Sequence, residues 1–126
     1  MVAQVITLTN QQRSRDGLSP LAQNANLSKA AAYLAGDLAG RQQLEHMDRH
    51  GRRLVERVEA DGYTTWTSVA ENIAYGQETA ARVVDAWMKS PGHRENLMGK
   101  SYTEIGVGLA FAKNGTPYWV QIFGSR

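Results

Sequence analysis

The sequence has 126 residues, of which 42% are apolar and 21% charged, and its 14 Lys and Arg against 12 Asp and Glu give a net charge of +2. That length and mix predict one globular domain, residues 1–126, and exclude a disordered chain, a collagen-like repeat, a coiled coil and a membrane-spanning helix. The small net charge gives no reason to expect a nucleic-acid partner, and the lack of cysteine excludes disulfides, thiolate metal sites and a cysteine nucleophile.

The first third of the chain is predicted to be helical. Residues 3–15 form a first helix that ends near Gly17, because glycine accepts the left-handed conformation common at helix C-termini. A second helix covers roughly 27–43, with Asn26 as its N-cap. Its apolar stripe recurs at helical spacing, in Leu27, Ala31, Leu34 and Leu38.

The middle of the chain is predicted to form shorter elements. The pattern breaks over 44–51, and a short helix follows over about 52–61. Its inward side chains are predicted to be Leu54, Val55 and Val58. Residues 63–69 are rich in Thr and aromatic side chains and read as extended or loop, and Trp66 is the tryptophan expected to line a groove.

Residues 70–76 are predicted to form a short strand, followed by the chain's clearest amphipathic helix over about 80–89. Thr79 is expected to cap that helix. Ser90 and Pro91 then begin a further helical turn, with Ser at the N-cap and Pro at the first position.

The C-terminus is predicted to be a β-hairpin. Strands at 104–113 and 118–123 flank Asn114-Gly115, a sequence that favours a type I′ turn. Neither strand has a polar face, so the sheet must be covered on both sides. The prediction is an α+β fold, a three-layer α-β-α sandwich with a small, mainly antiparallel sheet between helices.

Three residues could carry chemistry together. His46 follows the second helix, His93 follows the clearest helix, and Glu71 lies in an apolar strand, where an unpaired carboxylate is costly to bury. Two imidazoles and a carboxylate can hold a divalent cation or form an acid/base cluster. Spacing alone favours the simpler alternative, an exposed Glu71 and two surface histidines.

Other candidate motifs are incomplete. His50 lies four residues after His46, but the Glu of a His-Glu-x-x-His motif is absent, so we expect His50 to be exposed. Neither Ser90 nor Ser101 has the Gly-x-Ser-x-Gly sequence of a nucleophile elbow. The pair Gly106 and Gly108 lacks a third glycine and a following helix, so it predicts close approach of a helix or loop rather than dinucleotide binding.

Several motifs together resemble the CAP superfamily, which includes cysteine-rich secretory proteins, venom antigens, pathogenesis-related plant proteins and bacterial SCP-like extracellular proteins. Residues 70–76, Ala-Glu-Asn-Ile-Ala-Tyr-Gly, resemble its Gly-Glu-Asn-Ile/Leu-Ala-x-Gly motif. Residues 87–97, with Ser-Pro-Gly-His-Arg, are similar to the bacterial second-histidine motif. Further similar segments, in the family's order, lie at 10–21, 44–63 and 105–123.

The resemblance implies an α-β-α sandwich with a central cleft lined by His46, Glu71 and His93. Two features are typical of bacterial members: the absence of cysteine, and Ser90 where animal and plant members carry a second Glu. The family is associated with divalent metal binding, with sterol or lipid binding, and sometimes with protease or nuclease activity. The metal ligands would be His46 and His93, and the cation zinc or magnesium.

The functional expectation is a secreted or extracellular monomer whose cleft binds a divalent cation or a small lipid, glycan or peptide. The N-terminus lacks a signal-peptide pattern, so the residues alone leave two alternatives, a cytoplasmic protein or a secreted one whose leader has been removed, and the resemblance implies the second. The alternative is a metal-dependent hydrolase, a protease or nuclease, with Glu71 as general base on a bound water. Binding is favoured, because with Glu71 as the base only His46 and His93 remain as ligands.

Overall fold

The computed structural model describes residues 1–126, in five α-helices and four β-strands. In chain order these are α1 (Val2–Arg15), β1 (Ala22–Gln23), α2 (Ala25–Arg41), α3 (Leu54–Ala60), β2 (Ser68–Tyr75), α4 (Ala80–Met88), α5 (Pro91–Leu97), β3 (Glu104–Phe111) and β4 (Pro117–Ser125).

The four strands form one sheet in the order β1-β3-β4-β2. The two long pairings are antiparallel, and only the two-residue β1, which the sequence did not reveal, runs parallel to β3. The predicted mainly antiparallel sheet is therefore confirmed. Strand β2 lies at one end of the sheet, so one of its two edges has no strand beside it; we call this the open edge of β2.

Apolar clusters cover both faces of the sheet. Along β4, Tyr118, Val120 and Ile122 join the cluster formed with α2 and α3. The alternate residues Trp119 and Phe123 join the cluster formed with α1, α4 and α5. A strand whose successive side chains are buried on opposite faces must lie between two layers, which confirms the predicted three-layer α+β architecture.

Helix α2 lies almost directly on β3 because two glycines leave room for it. A Cβ atom at Gly106 or Gly108 would overlap the backbone of Leu27 or Ala31 in α2. The predicted close approach of a helix at this pair is thus confirmed.

The predicted cap of α2 is wrong by two residues. Asn24 occupies the N-cap, and its side chain accepts hydrogen bonds from the backbone N–H groups of Asn26 and Leu27. Both asparagines suit the position chemically. The side chain of Asn24 also donates to Glu104, which connects the start of α2 to β3. This additional bond favours Asn24 over Asn26 as the N-cap.

Helix α3 is also shorter than predicted. It begins at Leu54 rather than residue 52, because the backbone N–H of Arg52 donates to the side chain of Asp48 in the preceding loop. Val58 is buried as predicted, whereas Val55 is exposed.

The hairpin turn differs from the predicted type I′. Only Gly115 has a positive φ, +87°, and its N–H donates to the carbonyl of Ala112. The loop therefore has three residues and ends in a left-handed glycine. Asn114 keeps a negative φ, and its side chain accepts from the N–H of Thr116.

Candidate functional site

Glu71 lies at the centre of the candidate site, on β2. Its side chain is 2% exposed. Its Oε1 accepts hydrogen bonds from His46 Nδ1 at 2.9 Å and Arg57 Nη2 at 3.0 Å, and its Oε2 lies 2.9 Å from the same Nη2. Glu71 is therefore buried and bonded to a histidine, so the alternative of an exposed Glu71 that spacing alone favoured is wrong.

Arg57, on α3, is the partner that sequence reasoning missed. Its side chain is fully buried, and its Nη2 also donates to the backbone carbonyl of His46 at 2.8 Å. One guanidinium thus holds both the carboxylate and the loop that carries the histidine. The Nε and Nη1 atoms of Arg57 are buried without a hydrogen-bond partner.

The loop that carries His46 is organised around Asp48. This buried carboxylate accepts hydrogen bonds from the backbone N–H groups of His50 and Arg52, from Arg52 Nε and from the Tyr33 hydroxyl. Burial alone would raise the pKa of Asp48, but these hydrogen bonds outweigh it and lower the pKa to about 2.

A second carboxylate, Asp37 on α2, holds the same loop. It accepts hydrogen bonds from the Arg41 side chain and from both the backbone N–H and the side chain of Arg49. Burial opposes ionisation of Asp37, yet the two guanidinium groups leave its pKa below the usual value. Arg41 also donates to the carbonyl of Met47, beside His46. Charged hydrogen bonds therefore shape the loop.

His93 is held by neutral groups instead. Its backbone carbonyl accepts a hydrogen bond from Asn72 Nδ2 on β2 at 3.1 Å. Burial, and secondly the charge of His46, lower the pKa of His93. Glu71, which bonds to His46, and Asn72, which bonds to His93, are consecutive residues of β2, so one strand holds both histidines.

A buried amide network supports the His93 side. Asn72 donates to Gln121 on β4, and Gln121 donates to Thr9 on α1. Asn96 on α5 donates to Asn72 Oδ1 at 2.9 Å and to the carbonyl of Glu71 at 3.3 Å. Sequence reasoning assigned none of these residues a role, although Asn72 and Gln121 are polar residues in otherwise apolar strands.

A cavity of about 270 Å³ lies beside His93. We call it the His93 pocket; its lining consists of Leu44, Ile73, Ala74, Tyr75, Gln77, Ala86, Trp87, Ser90 and His93. Of these, Leu44 and Tyr75 are large hydrophobic side chains that remain 41% and 54% exposed. The Oε1 atom of Gln77 is buried and has no hydrogen-bond partner. His46 and Glu71 do not line the pocket.

The residues present form an incomplete metal site. No group of three or more His, Cys, Asp or Glu side chains is placed to hold a cation. Glu71 is buried against Arg57, which leaves the imidazoles of His46 and His93 as the available ligands. Structural and catalytic zinc sites use three or four protein ligands. Zinc or magnesium binding at His46 and His93 therefore stays a prediction.

The structure also tests the expectations for Trp66, His50 and Ser90. Trp66 lines none of the four cavities, and its indole N–H donates to Glu59 instead. His50 is exposed, as predicted. Ser90 occupies the N-cap position of α5 and Pro91 its first residue, but the Ser90 side chain makes no capping hydrogen bond. Ser90 lines the His93 pocket.

Comparison with known sequences gives one family and two relatives. The profile of the cysteine-rich secretory protein family, CAP, matches residues 6–123. The chain is 35% identical over 119 residues to the uncharacterized protein YkwD of Bacillus subtilis (strain 168), and 30% identical over 106 residues to the uncharacterized membrane protein YlbC of the same strain. These matches cover 94% and 84% of this chain but only 45% and 30% of the relatives.

Comparison with solved structures gives the same fold. An outer surface protein from Borrelia burgdorferi superposes with a TM-score of 0.88 at 25% identity, covering 97% of this chain and 90% of that one. An extracellular protein containing a SCP domain from Bacillus anthracis gives 0.88 at 26% identity, covering 99% and 40%. In this chain, no helix is both long and apolar enough to cross a membrane.

Proposed function

Because the chain belongs to the cysteine-rich secretory protein (CAP) family, we propose that it acts as an extracellular domain that binds a small ligand on the His93 side of the cleft. An extracellular location is supported by two similar structures, described as an outer surface protein and an extracellular protein. The chain spans less than half the length of the two Bacillus subtilis relatives. Any activity of a longer protein that contains this domain is therefore also a proposal.

The observation that carries this proposal is the His93 pocket. Its lining is largely apolar, and it combines the exposed side chains of Leu44 and Tyr75 with the polar residues Ser90 and His93. Ligand sites combine apolar walls with a few polar groups that fix orientation.

The state of Glu71 favours binding over hydrolysis. A general base must reach the proton that it removes, directly or through one water. The carboxylate of Glu71 is 2% exposed, bonded to His46 and paired with Arg57. It therefore has little access to a substrate water and serves to orient His46.

A divalent cation is the second candidate, and the contact between His46 and Glu71 supports it. Metal-binding histidines usually donate their other ring N–H to a carboxylate or carbonyl, which fixes the tautomer. Glu71 accepts from His46 Nδ1 in this way and leaves Nε2 for a ligand. A cation held by His46 and His93 would complete its coordination with water or with an oxygen of the bound molecule.

Titration with two small neutral probes, phenol and indole, tests the proposal by NMR. We expect saturable shifts at the Trp87 indole and the His93 ring, which Ala86→Phe abolishes by filling the pocket. The matched control is Ala81→Phe, also on α4 but lining the groove beside α1, which should leave the shifts unchanged. Shifts elsewhere, or shifts that survive Ala86→Phe, would contradict the proposal.

Calorimetry with zinc chloride tests the second candidate. Zinc binding should weaken in both His46→Ala and His93→Ala if the two rings share a cation. Casein and DNA cleavage assays run beside it address the hydrolase. Zinc-dependent cleavage that disappears in Glu71→Gln would establish catalysis in place of simple binding.

A further inference from the structure

The open edge of β2 has backbone groups that the sheet does not use. In an antiparallel pair, residues alternate between those bonded to the partner strand and those directed away from it. Just after β2, the N–H of Gly76 donates to the carbonyl of Pro117, and this pair continues the register in which Asn72 lies opposite Gln121. Even-numbered residues of β2 therefore bond to β4.

The odd-numbered residues Glu71, Ile73 and Tyr75 accordingly direct their N–H and C=O groups toward the open edge. Two side chains confirm this assignment, because Asn96 donates to the carbonyl of Glu71 and Trp87 Nε1 donates to that of Ile73. These bonds seal carbonyls of the edge from the side of α4 and α5. No side chain or loop carbonyl accepts from the N–H of Ile73 or Tyr75.

The unused N–H groups coincide with the His93 pocket. Ile73 and Tyr75 both line the pocket; Tyr75 is 54% exposed, whereas Ile73 is only 6% exposed. Their N–H groups are two residues apart on a strand, a separation of ~6.8 Å that matches the carbonyl spacing of a second extended chain. The pocket wall therefore includes two strand residues whose N–H groups have no acceptor.

The size of the pocket restricts the occupant further. Pockets that enclose drug-sized molecules measure ~300–1,000 Å³, and this one is about 270 Å³. It suits one apolar side chain better than a whole sterol. A peptide supplies that side chain together with backbone carbonyls and N–H groups at strand spacing.

We propose that the ligand is an extended peptide that adds a strand to the open edge of β2, accepts hydrogen bonds from the N–H groups of Ile73 and Tyr75, and places an apolar side chain in the His93 pocket. This inference rests on the proposed binding function and specifies its ligand. Strand addition of this kind takes affinity from main-chain hydrogen bonds and specificity from pockets for alternate side chains.

The test uses a capped heptapeptide, Lys-Thr-Val-Leu-Val-Thr-Lys, and two isomers that each carry two N-methyl groups. In one isomer the methyl groups lie on the second and fourth residues, and in the other on the third and fifth. Successive N–H groups of a strand point to opposite edges. One isomer therefore carries its methyl groups on the edge that faces β2, and the other carries them on the edge that faces solvent. We expect their affinities to differ by about tenfold or more.

Hydrogen exchange measured by NMR reports the pairing directly. The amide of Tyr75, a residue that is 54% exposed, should exchange freely in the unbound domain, whereas Ile73 is only 6% exposed and its amide should exchange more slowly. Both amides should become more protected at saturating peptide, and those of Val107 and Leu109 in β3 should not change. Ala86→Phe should abolish peptide binding, and Ala81→Phe should preserve it. Thermal melts establish that both variants fold.

The possible failures can be told apart. Equal affinity for the two N-methyl isomers, or a peptide that fails to bind while phenol still enters the pocket, overturns the strand-addition inference and leaves the proposed function standing. Failure of both phenol and peptide overturns both. A protected Tyr75 amide in the free protein, with a dimer in sedimentation, would show that a second copy occupies the edge and would likewise overturn the inference.

Discussion

The two histidines of the cleft are held in place by opposite kinds of chemistry. His46 lies on a loop fixed by ions, since Asp37, Asp48 and the Arg57–Glu71 pair all bond to it or to the residues beside it. His93 lies on α5, which is fixed by neutral groups, chiefly the amides of Asn72 and Asn96 and the apolar packing of Leu97.

This difference determines which half of the cleft is held by bonds that depend on pH. A carboxylate that is ionised in the folded state loses its contribution when protonated, so the His46 side depends on pH. The amide hydrogen bonds that hold α5 in place do not titrate, so this network should be insensitive to pH, and the His93 ring is the group on this side that titrates.

The largest expected effect comes from removing the buried arginine. Arg57→Met keeps most of the side-chain volume but leaves Glu71 as an unpaired buried charge, and breaking a buried ion pair costs ~3–5 kcal/mol. Urea unfolding at pH 7 measures this cost. The double variant Arg57→Met with Glu71→Gln should recover part of it. A loss below ~1 kcal/mol in Arg57→Met would show that charge does not hold this side.

Asp48→Asn should destabilise the His46 side by about 2 kcal/mol, because a pKa lowered from 3.8 to about 2 corresponds to ~1.4 kcal/mol per unit. The contribution of Asp48 is present above pH ~4 and is lost as the pH falls toward 2, since the unfolded chain binds the proton first. Unfolding curves of wild type and variant should converge over that range. A constant difference from pH 7 to pH 2 would mean that Asp48 acts only by its shape.

On the His93 side, Asn96→Ala should cost ~1–2 kcal/mol, because it leaves the buried Oδ1 of Asn72 without its donor. Because both amides are neutral, this loss of stability should be the same at pH 7 and pH 4 and in low and high salt. Chemical denaturation under the four conditions measures it. A loss that changes with pH or salt would remove the distinction between the two halves.

Gly115→Val provides a reference outside both halves. At φ +87° a β-branched side chain is strained, although nothing lies within 4 Å of the new Cβ, so we expect a cost of about 1 kcal/mol. Phenol binding in the His93 pocket should not change. Thermal melts and the NMR titration check the two expectations, and an unchanged melting temperature would argue against the left-handed turn.

Much of the fold could be predicted because local patterns encode it. The alternation of apolar residues in β3 and β4 predicts a sheet covered on both faces, and the Gly106 and Gly108 pair predicts close contact with a helix. Glu71 stands out because a charged residue in an apolar strand needs a partner. The family motifs grouped Glu71 with both His46 and His93, and in the structure its carboxylate bonds to His46 and Arg57.

The missed features depend on contacts distant in sequence. Nothing in the helical pattern separates buried Arg57 from the neighbouring Arg52 and Arg53, because its burial is set by Glu71, 14 residues later. The choice of Asn24 over Asn26 as helix cap likewise depends on Glu104 in a distant strand. The open edge of β2 follows from strand order, which local periodicity does not specify.

The smallest expected effect is the influence of the His46 charge on the pKa of His93. Burial is the larger cause of the lowered pKa of His93, and the charge of His46 is the second. His46→Ala should therefore raise the pKa of His93 toward the ordinary 6.5 without reaching it, whereas His50→Ala, at an exposed position, should leave it unchanged. NMR titration of the His93 ring measures both.

The same shift has a consequence for stability. Because the pKa of His93 is lower in the folded domain than in the unfolded chain, the unfolded chain takes up the proton first as the pH falls below about 6.5. Stability is therefore lost between that pH and the lowered pKa, and His46→Ala should reduce the His93 part of the loss. If the pKa of His93 were identical in wild type and His46→Ala, the two rings would not share one electrostatic environment, and the cleft would be two independent sites.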